Sequence, residues 1–520
     1  MRPTSVVHRG RAAIAVATAF GLATITGVAT GAAPAAAGTP AAAAPSVAES
    51  TPTSASVPAP VAARHTTRGH LPPTPGAPGI GDSYYPLYGN GGYDVRHYGI
   101  KVAYDPATDL LTGTTTITAK ATKNLSRFDL DLVLRATKVT VDGRPARFRQ
   151  VKGQELVVTP ARPVRAGRDM VVTVTYAGVP SATQPFEWTP WVKNADGAVA
   201  IGEPEIAAWW FPSNDHPLDK ARYDISLTVP KGVEAISNGV LRSQRFGRTT
   251  DTWNWRVRTP MASYLAFAAI GQFDVVKGET KSGLPSLNAY AVGGGEAGQR
   301  ARRDIGRTPE VVDWLSRVFG PYPFEAVGGV APVGKFGFAL ENQTRPVYSP
   351  KFWAKGQNMG VVVHENAHQW FGNSVSVHHW KDIWLNEGFA SYAEWLWDEQ
   401  HGGDSAQKTF EAEYAKQPAD AAFWRVVVAD PGPDNQFDGA VYDRGAMAVH
   451  ALRNRIGDAA FFHLVRTWTA KHRHGNATVE EFEAMAEKIS GQELSPFFRV
   501  WLRTASRPEP TVANGFPARS

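Results

Sequence analysis

"VVVHENAHQWFGN", residues 361–373, sets two histidines and a glutamate into a run that otherwise reads as buried and apolar. On an α-helix, positions i and i+4 lie one turn apart on one face, so His364 and His368 can close on a single ion. Glu365, about 100° further round, can address a water on that ion. Gly372 is placed to end this helix. A second helix is expected from near Asn386, in "WKDIWLNEGFASYAEWLWDEQHGG", and its Glu387 follows His368 by 19 positions. That separation lets the chain turn and bring a third ligand beside the imidazoles. Three protein ligands leave a fourth zinc position open, which is the arrangement of a catalytic site. In a chain with 14 His among 520 residues, His-Glu-x-x-His arises by chance on the order of a few per cent of the time, so the motif alone is moderately specific. Joined to Trp-Leu-Asn-Glu-Gly at this distance, it outweighs the alternative of two buried, merely hydrogen-bonded histidines.

The 520 residues predict two or three domains, and 43% hydrophobic with 11% aromatic residues argues for large cores and against disorder over most of the length. Arg2, Arg9 and Arg11 precede a mostly apolar run from Ala12 to about Ala33, and the small residues Ala35, Ala36 and Ala37 follow. This order is that of a secretory signal peptide over 1–37, and the Thr and Gly within the run argue against an uncleaved anchor. With no Cys in the chain, neither a lipidated cysteine nor a disulfide is available. No later stretch reaches 18 apolar residues, so no stable membrane insertion is expected after cleavage. Residues 38–78, rich in Ala, Pro, Thr and Ser, read as a disordered spacer. The net charge of +6 is concentrated here: residues 1–78 hold five Arg and one Glu, leaving 49 basic against 47 acidic residues beyond them. A nucleic-acid partner is therefore not supported.

From Tyr93 to about Phe273 the pattern alternates with period two: Tyr98, Ile100, Val102 and Tyr104; Phe128, Leu130, Leu132 and Leu134; Tyr223, Ile225, Leu227 and Val229. With turn signals at Asp142-Gly143 and Asn238-Gly239, this predicts an antiparallel β-domain over 79–290. The "VGGGEAG" run at 292–298 marks the boundary. Thr308-Pro309 then reads as N-cap and first helical position, with Val311, Leu315 and Val318 on one face before Gly320-Pro321. Helical patterning dominates to about Leu502, in "RGAMAVHALRNRIG" and "VEEFEAMAEKISG", each closed by Gly. The tail 506–520 is polar, with several Pro and Gly, and is expected to be poorly ordered.

In "HENAHQWFGN" and "WLNEGFA", with 18 residues between His368 and Glu387, the sequence resembles the zinc aminopeptidases of the aminopeptidase N family, the gluzincins. The likeness extends over nearly all of 80–505, including "FPSNDHPLDKARYDISLTVP" and "ELSPFFRVWL". It implies a multidomain fold: an N-terminal antiparallel β-sandwich-like domain, then a thermolysin-like α/β zinc-peptidase domain over 291–505 with a mostly helical C-terminal part. It implies one Zn2+ per chain held by His364, His368 and Glu387, and Glu365 as general base toward a water whose pKa zinc brings to about 7. Tyr442 in "VYDRGAMAV" matches the family's oxyanion donor. Tyr392 competes on spacing alone but lies within the Glu387 helix. "FALENQ" corresponds to the family's Gly-x-Met-Glu-Asn, giving Glu341 as anchor for the substrate's free amine and Asn342 as its neighbour. Phe338 and Leu340 depart from that pattern, which puts the shape of the first side-chain pocket in doubt. "IGEPEIAAWWFP" offers Glu203 or Glu205 as a second amine contact, and Glu203 fits the spacing better.

His378-His379 in the connector read as surface residues or outer partners of the zinc site rather than a second metal site, the pairs Trp209-Trp210 and Trp395 with Trp397 as packing residues, and the "KHRHGN" run at 471–476 as a solvated helix end. The expected protein is a secreted aminopeptidase acting on peptides with a free N-terminus. Many relatives carry a further helical domain for which 520 residues leave no room, so a more open cleft admitting longer peptides is expected. The rivals are a zinc endopeptidase or an epoxide hydrolase of the same fold, and a catalytically silent peptide-binding homologue, against which the intact Glu365 argues.

Overall fold

Alternation with period two builds the first half of the molecule. In the computed structural model, which describes residues 72–151, 153–184 and 189–518, the predicted inward residues Tyr98, Ile100, Val102 and Tyr104, and Tyr223, Ile225, Leu227 and Val229, are all buried. Their strands belong to an eight-stranded sheet ordered 240–246, 250–262, 220–230, 93–105, 110–121, 169–178, 135–141, 144–145. One central pairing, Tyr93–Asp105 with Lys220–Pro230, is parallel, and the others are antiparallel. Two four-stranded sheets complete this β-rich region.

Leu125–Asp131 departs from simple alternation. Phe128 and Leu130 point inward as expected, yet Asp129 and Asp131 on the opposite face are buried too. Asp131 is accommodated because the Asn90 and Gln154 amides and the Asp215 N–H donate to its carboxylate.

The leader 1–37 and the spacer as far as residue 71 lie outside the described residues. The remainder of the span read as spacer is structured: Thr74–Pro75 pairs in parallel with Leu125–Asp131, and Ala77 bridges to Gly91. Strands on both sides of the boundary expected near 290 share one sheet. Phe273–Glu279 and Pro285–Ala291 are the first two strands of a mixed five-stranded sheet continued by Val327–Ala331, Val347–Tyr348 and the edge strand Ala339–Leu340. The glycine run is the turn from that sheet into helix α1 (Gly295–Ile305), with positive φ at Gly293 and Gly295. The pattern could not show this, because a hairpin at the rim of one sheet looks like a hairpin of its neighbour.

Helix α2 (Thr308–Phe319) buries Val311, Leu315 and Val318, begins one residue before the predicted first position, and stops at Gly320. The site helices follow: α3 (Met359–Ala367), capped by Asn358 accepting from the Val361 N–H, and α4 (Trp384–Gln400). Beyond them come α5 (Ala406–Lys416), α6 (Gly439–Ile456), α7 (Asp458–Lys471) and α8 (Val479–Ser490), the last two of the predicted Gly stops being Gly457 and Gly491. Among the described residues no helix is long and apolar enough to cross a membrane.

Two polar stretches are more tightly held than their composition suggests. In the tail, Arg507 lies 3.9 Å over the Tyr414 ring, Pro508 accepts from the Tyr414 hydroxyl, and Phe516 stacks on Trp501. In "KHRHGN", Asn476–Ala477 pairs with Ser376–Val377, and Gly475 accepts from Ser376 N–H and from the buried Lys220 ammonium. In both cases a few aromatic or backbone contacts from distant parts of the chain supply what local composition lacks.

Candidate active site

The metal-binding pattern survives folding with one local change. Helix α3 ends at Ala367, five residues before Gly372, but His368 keeps helical backbone angles, so the i to i+4 relation holds. His364 Nε2 and His368 Nε2 lie 3.3 and 3.4 Å from the same Glu387 oxygen. Donors about 2.0–2.1 Å from a tetrahedral zinc stand about 3.3–3.4 Å apart, so the three atoms fit that ion. Both rings are fixed in the required tautomer: His364 Nδ1–H donates to Glu394 at 2.9 Å, and His368 Nδ1–H to the Phe371 carbonyl at 3.0 Å. Each Nε2 lone pair is thereby left for the metal. Glu387 is fully buried, which alone would raise its pKa, but His368 and His364, when protonated in the absence of a metal, hold it well below the carboxylate range.

Glu394 was not read from the sequence. It sits two turns after Glu387 on α4, a spacing that places both on one face. Gly360 in the first turn of α3 leaves room for it, since a Cβ there would lie 2.6 Å from Glu394 Oε2.

Among the described residues, Glu341, Glu365 and His368 also bring ligand-type atoms within 4.8 Å of one another. Glu341 therefore stands beside Glu365 at the metal site. Its backbone carbonyl accepts from Gln369 and Asn373, and its carboxylate accepts from the buried Tyr264 hydroxyl at 3.0 Å. Tyr264 is a second residue that sequence reasoning missed, because its partner is 77 positions away. Burial pushes Glu365 up to about 8, and the neighbouring Glu341 and Glu387 charges add to the rise. Burial likewise raises Glu341. Glu203 is raised well above the usual range by burial and then by the neighbouring charges of Glu341, Glu387 and Glu365, and its Oε1 is buried without a partner. Glu205 is raised to about 8 by burial and by Asp215. Phe338 packs against Phe336, and Leu340 is buried.

Tyr442 comes into the site through a close helix crossing. A Cβ on Gly388 of α4 would lie 3.0 Å from Gly445, and one on Gly445 of α6 would lie 3.0 Å from Gly388, so the backbones touch there. The Tyr442 ring lies nearly parallel to that of His364, at 6.0 Å and 23°. Burial first, then Glu387 and Glu203, keeps its phenol protonated. Tyr392 is committed elsewhere: its hydroxyl bonds His450 Nδ1 and accepts from Arg453. Trp209, Trp210, Trp395 and Trp397 are buried packing residues. His378 and His379 bond each other at 3.0 Å.

A family model described as the Peptidase family M1 domain matches residues 338–501, and one described as the Peptidase M1 N-terminal domain matches 94–265. A solved M1 zinc metallopeptidase from Deinococcus radiodurans is 30% identical, with a TM-score of 0.73 over 83% of this chain and 99% of that one. The chain belongs to the M1 peptidase family. A mutant of that M1 enzyme, solved with a Tyr-Ser-Ala substrate, is 29% identical, with a TM-score of 0.73 over 83% of this chain and 100% of that one. Human glutamyl aminopeptidase is 30% identical over 456 residues, 79% of this chain and 46% of its own length. Aminopeptidase M1-D of Oryza sativa subsp. japonica is 26% identical over 345 residues, 62% of this chain and 38% of its own. The chain thus spans about half the length, or less, of these curated relatives. Zinc is the metal of this M1 site, in keeping with its two-imidazole, one-carboxylate donor set.

Proposed function

We propose that the protein is an exported zinc aminopeptidase that hydrolyses the N-terminal peptide bond of peptides. The observation that carries the reading is the Glu341 carboxylate, held by Tyr264 beside Glu365 and His368, with Glu203 neighbouring the same charges. A pair of buried carboxylates next to a metal triad is complementary to a substrate's terminal ammonium. It fixes the first residue against the reacting centre.

His364, His368 and Glu387 hold the metal. Zinc, when bound, polarises the scissile carbonyl and acidifies water. Glu365 takes the proton of the attacking water and returns it to the departing amine. The Tyr442 phenol donates to the oxygen on which negative charge develops. Glu341 and Glu203 bind the ammonium, which sets the first peptide bond at the reacting centre, so cleavage releases single residues. Export is supported by the charged, apolar and small-residue order of residues 1–37.

The test uses the full chain and two peptides of one sequence, one with a free and one with an acetylated N-terminus, with and without a chelator. Cleavage of the free peptide alone, abolished by chelation, restored by zinc and lost in Glu341→Ala, is the expected result. Equal cleavage of both peptides assigns an endopeptidase instead. Amino-terminal sequencing of protein recovered from culture medium tests export, and an intact Met1 contradicts it.

A further inference from the structure

Ahead of residue 94, where the match to the M1 N-terminal domain begins, the chain carries a short segment in which the Asp82, Tyr84 and Tyr85 side chains bond residues of the catalytic half. Asp82 is its centre. The Asp82 carboxylate is buried and accepts four hydrogen bonds: Tyr84 N–H at 2.8 Å, Tyr85 N–H at 3.1 Å, Trp380 N–H at 2.8 Å and His216 Nε2–H at 3.2 Å. The direction of the last is fixed, because the Leu218 N–H donates to His216 Nδ1 and so places the ring proton on Nε2. Burial works against the charge, but these donors hold Asp82 down at about 2, so it is an anion at any working pH.

Trp380 connects this anion to the site. Its ring, fully buried, takes the Tyr85 ring edge-on at 6.2 Å and the Tyr264 ring edge-on at 5.4 Å. Tyr264 is the residue whose hydroxyl donates to the Glu341 carboxylate. The other end of the segment is tied to the stretch leading into α6. The Tyr85 hydroxyl donates to Gln436, and the Tyr84 hydroxyl donates to Asp430 and accepts from the Gly432 N–H.

We propose that residues 82–85 are a positioning element of the amine subsite, in which Asp82 fixes Trp380, Trp380 fixes Tyr264, and Tyr264 orients the Glu341 carboxylate toward the substrate's ammonium. The proposal rests on the aminopeptidase reading above. None of the three residues touches substrate. Each sets the direction of a lone pair that does. A carboxylate aimed by one hydroxyl loses its direction when the hydroxyl is lost or its ring tilts, and the cost falls on binding of the amine rather than on the metal.

The test uses Asp82→Asn, which keeps the shape and gives up one acceptor oxygen, together with Tyr264→Phe and the double variant. The probes are the tripeptide Tyr-Ser-Ala, followed by its KM and kcat, and its des-amino counterpart, followed as a competitive inhibitor. The expected result is a rise in KM for the tripeptide of roughly tenfold in Tyr264→Phe and roughly fivefold in Asp82→Asn, from loss of a bond to a charged group. Inhibition by the des-amino compound stays within about twofold, and zinc content is unchanged. The double variant is no worse than Tyr264→Phe alone, because both act on one carboxylate. Equal weakening of both ligands, with a lower Tm, marks Asp82 as structural only and overturns the proposal. Additive losses in the double variant overturn the route through Tyr264. If the unaltered protein already binds both ligands equally, the aminopeptidase reading itself fails. Where Asp82→Asn does not fold, Trp380→Phe, which keeps the N–H bonded to Asp82 and shortens the ring packed on Tyr264, carries the same comparison.

Discussion

Removing the Glu394 carboxylate should weaken zinc binding while leaving catalysis intact once the metal is restored. Its bond to His364 Nδ1 is 2.9 Å, and the Glu394 side chain is 26% exposed. A hydrogen bond involving a charged group contributes about 1.5–3 kcal/mol, and partial exposure places this one in the lower half of that range. About 1.5–2 kcal/mol corresponds to roughly a 10- to 30-fold rise in the zinc dissociation constant, within the usual span for outer partners of ligating histidines. Glu394→Ala tests this directly. Gly360→Ala tests it from the other side, because the new Cβ would sit 2.6 Å from Glu394 Oε2 and must push the carboxylate aside. Alanine in place of helical glycine should raise helix stability by up to about 1 kcal/mol. A Gly360→Ala protein that melts higher yet binds zinc more weakly therefore isolates the contact. The assay is competition with a chelator of known affinity, followed by kcat/KM at saturating zinc. Unchanged zinc affinity in both variants refutes the reasoning. So does a loss of activity that excess zinc fails to restore, since the carboxylate would then act on something other than His364.

Glu365→Gln should retain zinc and lose at least about two orders of magnitude in kcat, since the amide cannot take the proton; metal analysis beside steady-state kinetics checks it. Tyr442→Phe should lower kcat by about 10²–10³ with little change in KM. Tyr392→Phe, losing its bonds to His450 and Arg453, should cost about 1 kcal/mol of stability and leave kcat within about twofold; exchanged phenotypes would return the oxyanion role to Tyr392. Burial raises Asp219 to about 8. Its folded pKa lies above the unfolded value of about 3.9, so its contribution to stability is complete below about pH 4 and is lost as pH rises through about 8. Asp219→Asn should remove that part of the slope, and Tm curves that stay parallel between pH 5 and 8.5 would contradict it.

The metal triad was legible because it depends on one regular periodicity and a chain length. His364 and His368 share a helix face by spacing alone, and Glu387 needs only a turn of adequate reach. The inward faces of the strands at 98–104 and 223–229 were legible for the same reason, a period matched to one packed surface. The likeness to known aminopeptidases added Tyr442, Glu341 and Glu203, which no local periodicity marks. Other features fell outside both. The hairpin at 273–291 belongs to the catalytic sheet, and the partners of a strand are not written in its own alternation. Asp129 and Asp131 look solvent-facing by pattern and are buried by what covers them.

By itself the sequence determined which side chains can bind the metal, where α2, α6 and α8 stop, and which strand faces turn inward, since each follows from the geometry of a single element. Only the tertiary structure decided what aims those side chains. Glu394 reaches His364 across a gap left by Gly360, α4 and α6 touch at Gly388 and Gly445, and Tyr264 meets Glu341 from 77 positions away. Such contacts form between elements, where hydrogen-bond direction and close packing depend on how the chain returns, and no short-range pattern of residues encodes the return.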